Sequence, residues 1–282
     1  MSQRLFVKIT RENLPQVKDR YPFIYIERSR IEVDDSSIKW IDVESNTVRL
    51  PCATINALML GPGTSITHEA IKVLAASNCC VLWVGEDSLI FYAVGQSPNA
   101  DSRNMRKQMM LASDPKKAEN VARKMFARRF PAADLRGKNL KEMMGMEGYR
   151  VHQIYEEKAQ KYGIGWRGRS YQPGKFELGD TTNKYLTSAN AALYGILSAA
   201  IYSIGYSPHI GFIHSGSPLP FVYDMADLYK EHLCIDLAFA LTVETAGIYE
   251  KEKISAEFRR RVLETDLLGH IGEDINSILK DN

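Results

Sequence analysis

Cysteine pairs at metal-binding or redox spacing are missing from this chain: Cys52, Cys79, Cys80 and Cys234, its four cysteines, contain no C-x-x-C. That argues against a zinc Cys/His framework and against the stapled core of a secreted domain. Cys79 and Cys80 are adjacent inside an apolar, strand-like run, so packing is their expected role. Long hydrophobic runs are missing too. No uninterrupted apolar stretch approaches the ~20 residues of a membrane span, and Met1-Ser2-Gln3-Arg4-Leu5 opens no secretory apolar core. There is no P-loop, which argues against a nucleotide-driven motor, and no internal repeat or low-complexity tract. The expected class is a reduced, cytoplasmic protein without membrane contact. At 282 residues it is long enough for one large or two modest cores.

Charge of one sign is scarce overall, with 36 Lys and Arg against 34 Asp and Glu, but it is unevenly spread. From Asp101 to Arg150 thirteen basic residues face six acidic ones; from Asp224 to Glu252 two basic residues face seven acidic ones. Lys107, Lys116, Lys117, Arg123, Lys124, Arg128 and Arg129 crowd a segment that also holds Met125, Phe126 and Phe130. Such a block reads either as a solvated helical face or as a phosphate-binding stripe. In Trp166-Arg167-Gly168-Arg169-Ser170-Tyr171 aromatics and cations alternate. That pattern suits single-stranded ends stacked on rings, or else a surface loop with a packed Trp. Arg123, Arg128, Arg129, Arg150, Arg167 and Arg169, with Trp166, are the candidate DNA-binding residues, because guanidinium groups favour bidentate phosphate contact.

The rhythm of the chain changes near residue 100. Between Phe23 and Leu50, β-branched and aromatic residues alternate with polar ones, with turns at Asp34-Asp35-Ser36-Ser37 and Glu44-Ser45-Asn46. Strands are expected again at 53–60, 79–84 and 89–94, and a helix capped by Thr67 with Glu69 in its first turn. Gly95-Gln96-Ser97-Pro98-Asn99-Ala100 has linker composition. Helices are expected at 105–112, 115–130, 140–162, 182–204, 222–241, 255–264 and 271–279, the second capped by Asp114 with Pro115 in its first turn. Residues 182–204 are rich in small side chains, as a closely packed central helix would be, and Tyr194 is expected to face the core. The fold class is α+β: a β-rich domain over 1–95 for dimerisation and partner docking, then a larger all-α domain over 96–282 carrying the site.

The segment richest in chemistry is Gly211-Phe212-Ile213-His214-Ser215-Gly216, followed by Asp224-Met225-Ala226-Asp227. It places an imidazole in a glycine-bounded turn. Its two carboxylates share one helix face, with Cβ atoms about 5–6 Å apart. Upstream, Glu147 stands alone in Gly145-Met146-Glu147-Gly148-Tyr149-Arg150. One His with Glu and Asp from separated segments suits a divalent ion with open coordination positions. The plainer readings are a loop histidine, a solvated Asp-x-x-Asp face and, for Ser215, a turn cap. The apolar setting, Phe221-Val222-Tyr223 and Met225-Ala226, makes unpaired acids costly there, and a bound cation removes that cost.

GFIHSGSPLPFVYDMADLYK, GMEGYRV, WRGRSYQPGKFELGDTTNKYL and ALYGILSAAIYSIGYSPHIGF together resemble the CRISPR-associated DNA integrase, the universal nuclease-like subunit of CRISPR adaptation. The match looks like the subtype that accompanies Cascade. It runs from about Phe23 into the 230s and is loose beyond about Thr242. The resemblance implies metal ligands at Glu147, His214 and Asp227, with Asp224 beside them as a supporting acid. It implies Mg²⁺ or Mn²⁺, with the imidazole making Mn²⁺ as suitable as Mg²⁺. It further implies that the 3′-hydroxyl of a captured fragment attacks a target phosphodiester in CRISPR repeat DNA, an exchange needing no ATP. Homodimers bridged by a dimer of a small CRISPR-associated companion are implied as the working complex, acting on double-stranded DNA with 3′ ends. The Pro-rich tail of some relatives is absent after Lys280-Asp281-Asn282, so capture by flanking motif is expected to be handled differently or by another protein.

Two other classes fit parts of this pattern. A non-catalytic DNA-binding assembly subunit would use the basic middle alone, and Glu147, His214 and Asp227 would then be scattered in space. A metallohydrolase of other phosphodiesters would keep the acid cluster but turn over generic substrates without joining DNA.

Overall fold

The computed structural model describes residues 20, 24–35, 37–85, 91–95, 102–131, 133–170 and 176–280. Phe23, Ser36, residues 89–90 of one expected strand, the linker residues 96–100 and Tyr171 lie outside them.

Strands β1 (Ile24–Ile26), β2 (Arg30–Asp34), β3 (Ser37–Ile41), β4 (Thr47–Leu50), β5 (Ala57–Leu60), β6 (Ser65–Ile66), β7 (Cys80–Val84) and β8 (Phe91–Gly95) form two sheets. One has the order β4-β3-β2-β6, antiparallel except for the parallel β2–β6 pair. The other has the order β1-β5-β7-β8, with β1, β5 and β7 parallel and β8 antiparallel at the edge. The expected turns hold the first sheet's hairpins: Asp35 and Ser45 take positive φ, and the Asp42 carboxylate accepts from the backbone N–H of Glu44 and of Asn46.

Alternation along β5 and β7 assigns their two faces. Leu58, Leu60 and Val81 join Ile31 and Ile38 of the other sheet and Ala70 and Leu74 of α1 (His68–Ala76) in one core. Ala57, Met59, Cys80, Leu82 and Val84 turn the opposite way, onto Ala199 and Tyr202. Burial on both faces, with Trp83 the exposed exception, gives the continuous apolar run Cys80-Val81-Leu82-Trp83-Val84. Thr67 caps α1, its hydroxyl accepting from the Ala70 N–H at 3.3 Å.

The helical part comprises α2 (Arg103–Ser113), α3 (Pro115–Arg129), α4 (Leu140–Tyr162), α5 (Thr181–Ser203), α6 (Pro220–Ala226), α7 (Asp236–Glu244), α8 (Lys251–Glu264) and α9 (Leu267–Ile278). Asp114 caps α3 through the N–H groups of Lys116 and Lys117, with Pro115 in the first turn. Asn139 and Glu142 form a reciprocal capping box on α4, which ends at left-handed Gly163. Small residues Ala189, Ala192, Gly195, Ser198 and Ala199 let α5 run buried through the bundle, packed on α6, α7 and α8 and on the second sheet. The helical part and the β-rich part therefore share a core along α5.

One expected helix is broken. In place of a single helix over 222–241, α6 ends at Ala226 with Asp227 as its C-cap, and the N–H groups of Leu228 and Tyr229 bond to carbonyls only three residues back. A π-helical turn, Glu231–Ile235, then leads into α7. Such register slips often mark functional segments. Here the slip falls between the site acids and α7.

Candidate active site

The histidine turn is built by one carboxylate. Asp224, on α6 and 1% exposed, accepts from the backbone N–H of Phe212 (2.6 Å), Ile213 (3.2 Å) and His214 (2.9 Å) and from His214 Nδ1 (2.8 Å). Four donors on one buried carboxylate satisfy a charge that would otherwise be costly there. Gly211 permits the approach of turn to helix: a Cβ at that position would lie 2.6 Å from the Pro220 Cβ and 2.8 Å from the His214 carbonyl oxygen. Because a carboxylate only accepts, Nδ1 carries a proton, and Nε2 is the imidazole atom left to act. The Asp224 hydrogen bond raises the His214 pKa, burial opposes it, and Asp227 adds to the rise.

Nε2 points at Asp227, 3.8 Å from Oδ2. That is too long for a hydrogen bond. It lies within the span of two coordination bonds of about 2.1 Å each to one ion. Glu147, on α4 and 15% exposed in its side chain, is drawn to the same place by Arg129. The Arg129 guanidinium, at the end of α3, pairs with Glu147 Oε1 and stands 3.4 Å from Asp227 Oδ2 through the same nitrogen. Arg129 thus links Glu147 to Asp227, and His214 Nε2 faces the same Asp227 oxygen that the guanidinium approaches. Among the described residues, no three His, Cys, Asp or Glu side chains stand close enough to hold a metal ion in this arrangement. The donor set and the 3.8 Å gap fit a divalent ion once Glu147 is released from Arg129.

Lys230, absent from the sequence-derived candidates, completes the site. Its ammonium donates to Asp227 Oδ1 at 2.8 Å and lies 5.1 Å from the centre of the Tyr194 ring. Burial works to lower the Lys230 pKa, but Asp227 and Tyr194 outweigh it and the net shift is upward. The signal was its position three residues beyond Asp227, one turn away on a helix. Tyr194 is half-buried and stacks edge-on to Tyr223, at the rim of the site. Tyr223 in turn meets the His214 ring edge-on.

The DNA candidates divide. Arg128 pairs with the buried Asp274 and bonds Ser277, tying α3 to α9. Arg123 bonds Glu119 and the carbonyls of Leu135 and Lys138. Arg129 is 12% exposed and belongs to the acid site. These three guanidinium groups hold protein atoms, which separates them from the solvated stripe read from the sequence. Arg169 bonds the Asn183 side chain (2.8 Å) and Thr187 (2.9 Å) while remaining on the surface. Trp166 stacks on Tyr155 with centroids 5.0 Å apart and planes 12° apart, and packs on Phe239. It is a packed ring with one side at the surface, in a depression shared with His152, Gln160 and Arg167. Arg150 and Arg167 are exposed, with no hydrogen bond or ion pair among the described residues.

The family model for CRISPR associated protein Cas1 matches residues 23–134 and 126–253. The chain is 63% identical over 276 residues to CRISPR-associated endonuclease Cas1 2 of Chlorobaculum tepidum, covering 98% of this chain and 93% of that protein. It superposes on the solved TtCas1–DNA complex with a TM-score of 0.76 at 34% identity, covering 92% of this chain and 97% of the other. A partial Cas6-RT-Cas1–Cas2 complex shares the fold at 16% identity, with a TM-score of 0.55 and coverage of 79% and 75%. The chain belongs to the Cas1 family. The similarity extends well past the 230s, where the sequence reading ended it.

Proposed function

We propose that this protein is a divalent-metal-dependent DNA endonuclease and strand transferase that inserts short foreign DNA fragments into a CRISPR array. The observation that carries the reading is Asp227 Oδ2, which faces both His214 Nε2 and the Arg129 nitrogen paired with Glu147, with the imidazole aimed by a buried aspartate. A non-catalytic docking subunit has no use for that arrangement.

Glu147, Asp227 and His214 Nε2 would hold Mg²⁺ or Mn²⁺. The ion would polarise the scissile phosphodiester and stabilise the charge developing on it. Asp224 fixes the ring so that Nε2 faces the site, a supporting role that leaves it no oxygen to act as a direct ligand. Lys230 holds Asp227 by its outer oxygen and brings a second positive charge to where phosphate oxygens would sit. The nucleophile is the 3′-hydroxyl of the captured fragment; its attack forms one phosphodiester as another breaks, so no nucleotide is consumed. Exposed Arg150 and Arg167 lie on the elements that carry Glu147 and Trp166 and suit phosphate contact. A related protein has been solved with DNA, which supports nucleic acid as the substrate class.

The working complex is proposed to be two homodimers across a dimer of the small companion protein, in the Cascade-accompanying subtype. The β-rich region supplies the dimer and partner contacts. The test is a joining assay with a 3′-OH duplex and a repeat-bearing supercoiled plasmid. Joined product appearing only with both companion and Mg²⁺ or Mn²⁺ supports the reading. Undiminished joining in excess EDTA refutes metal dependence. Turnover of generic phosphodiesters without joining favours a hydrolase.

A further inference from the structure

The Arg129 guanidinium at the acid site joins carboxylates from two remote segments, which the guanidinium groups of Arg128 and Arg261 do not. Arg128 and Arg261 each pair with a single carboxylate, Asp274 and Asp236. Arg129 instead places one nitrogen against both Glu147 Oε1 and Asp227 Oδ2, and Asp227 Oδ2 is also the oxygen 3.8 Å from His214 Nε2. Asp227 is gripped from both sides, Lys230 on Oδ1 and Arg129 on Oδ2. Loss of Arg129 would therefore leave Asp227 anchored by Lys230 and Glu147 free. The guanidinium also sits 5.1 Å from the centre of the Phe130 ring, an aromatic shelf beside the site.

Arg129 and Lys230 set two positive charges directly against Glu147 and Asp227, with Asp224 behind His214 and Glu231 also acting on Arg129. A doubly charged ion added beside both cations would meet strong like-charge repulsion at short range. It would also find Glu147 Oε1 and both oxygens of Asp227 already facing a cation.

We infer that Arg129 is a resident cation that occupies the metal position and must withdraw before Glu147, His214 and Asp227 can bind a divalent ion. The inference rests on the metal-site reading above. Arg129 is then a positioning residue that keeps the metal-free acids together and sets how weakly the free protein takes up its ion. An ion pair that merely fastened α3 to α4 would act in the opposite sense, since its loss would loosen the site and weaken metal binding.

The experiment measures Mn²⁺ affinity of the full-length protein at fixed pH by the electron paramagnetic resonance of free Mn²⁺, for wild type, R129Q and R129K. Melting curves in EDTA and in Mn²⁺ accompany it. R129Q is expected to bind Mn²⁺ on the order of ten- to a hundredfold more tightly, the worth of a charge-assisted contact no longer displaced. It should melt below wild type in EDTA and gain more than wild type from Mn²⁺. R129K, whose single ammonium cannot reproduce the planar fork, should fall between the two. Equal or weaker binding by a cooperatively folded R129Q overturns the inference and leaves the metal site standing. If R129Q does not fold, R129K decides in the same way. Binding by R129Q but not by wild type supports the inference. Failure of all three proteins to bind Mn²⁺ sinks the metal-site reading and this inference with it.

Discussion

Helix α4 carries part of two charged clusters, and they are built to different plans. At its C-terminal end, Asp236 accepts from Lys158 (2.8 Å), Lys161 (3.2 Å), Tyr162 (3.2 Å) and Arg261 (3.2 Å), donors from α4 and α8 closing on one carboxylate of α7. Near its N-terminal end, Glu147 joins Asp227 around a single guanidinium nitrogen, with His214 Nε2 still 3.8 Å from the nearest Asp227 oxygen. In the first cluster cations surround an acid, and every contact fastens helices. In the second, two acids share one guanidinium nitrogen, and the imidazole Nε2 makes no hydrogen bond among the described residues. Saturation by several donors fits a structural carboxylate; acids that share one positive charge fit the proposed ion site.

Removing the groups of the acid site should have the largest effect. His214→Ala and Asp227→Ala are expected to lower DNA joining by at least the ~100- to 1000-fold lost when a charge-stabilising group leaves an active site. Both should leave the circular dichroism spectrum unchanged. Asp224→Asn should cost joining about 10- to 100-fold, the usual toll for an outer partner of a metal ligand. It should also destabilise the fold by roughly 1–3 kcal/mol, because the amide presents donors to a ring and backbone that already donate. In that variant the His214 titration, followed by NMR in metal-free protein, should move down, since Asp224 is the main cause of its raised pKa.

The other cluster should respond in stability and not in chemistry. Burial works to raise the Asp236 pKa, but Lys158 and Lys161 overcome it and hold the carboxyl well below the usual range. A depressed carboxylate pKa adds stability above the unfolded value, near 4, which is lost as pH falls toward the folded one. Asp236→Asn should therefore melt a few degrees (roughly) below wild type at pH 7, with the gap closing below about pH 4, and join DNA normally. A joining defect in a stably folded Asp236→Asn would erase the distinction between the clusters. The smallest effect belongs to the surface: Arg150→Ala and Arg167→Ala should each reduce the slope of log affinity against log salt by about one phosphate's worth, ~0.9.

Much of this was legible in the chain. The bounds of α4 follow from a run of helix formers, and the caps at Thr67 and Asp114 from their side chains. The His214 turn and the 224/227 pair stand out by spacing and Glu147 by its small and apolar neighbours, while the family resemblance gave them the role of metal ligands. The parallel pairing of β1, β5 and β7 was not legible, because apolar runs reveal strands but not their partners. Nor was the break after Asp227, since the sequence there has no Gly or Pro and the slip is a matter of backbone bonds three residues back. Arg123, Arg128 and Arg129 looked like one basic stripe. The partners of Arg128 and Arg129, Asp274, Glu147 and Asp227, come from remote segments that no local spacing encodes.

Anomalous diffraction from crystals grown with Mn²⁺ tests the metal assignment most directly. The account predicts one manganese peak bounded by Glu147, His214 Nε2 and Asp227, with Arg129 swung clear. Manganese absent from that position at saturating concentration, with Arg129 still against Glu147, would contradict it.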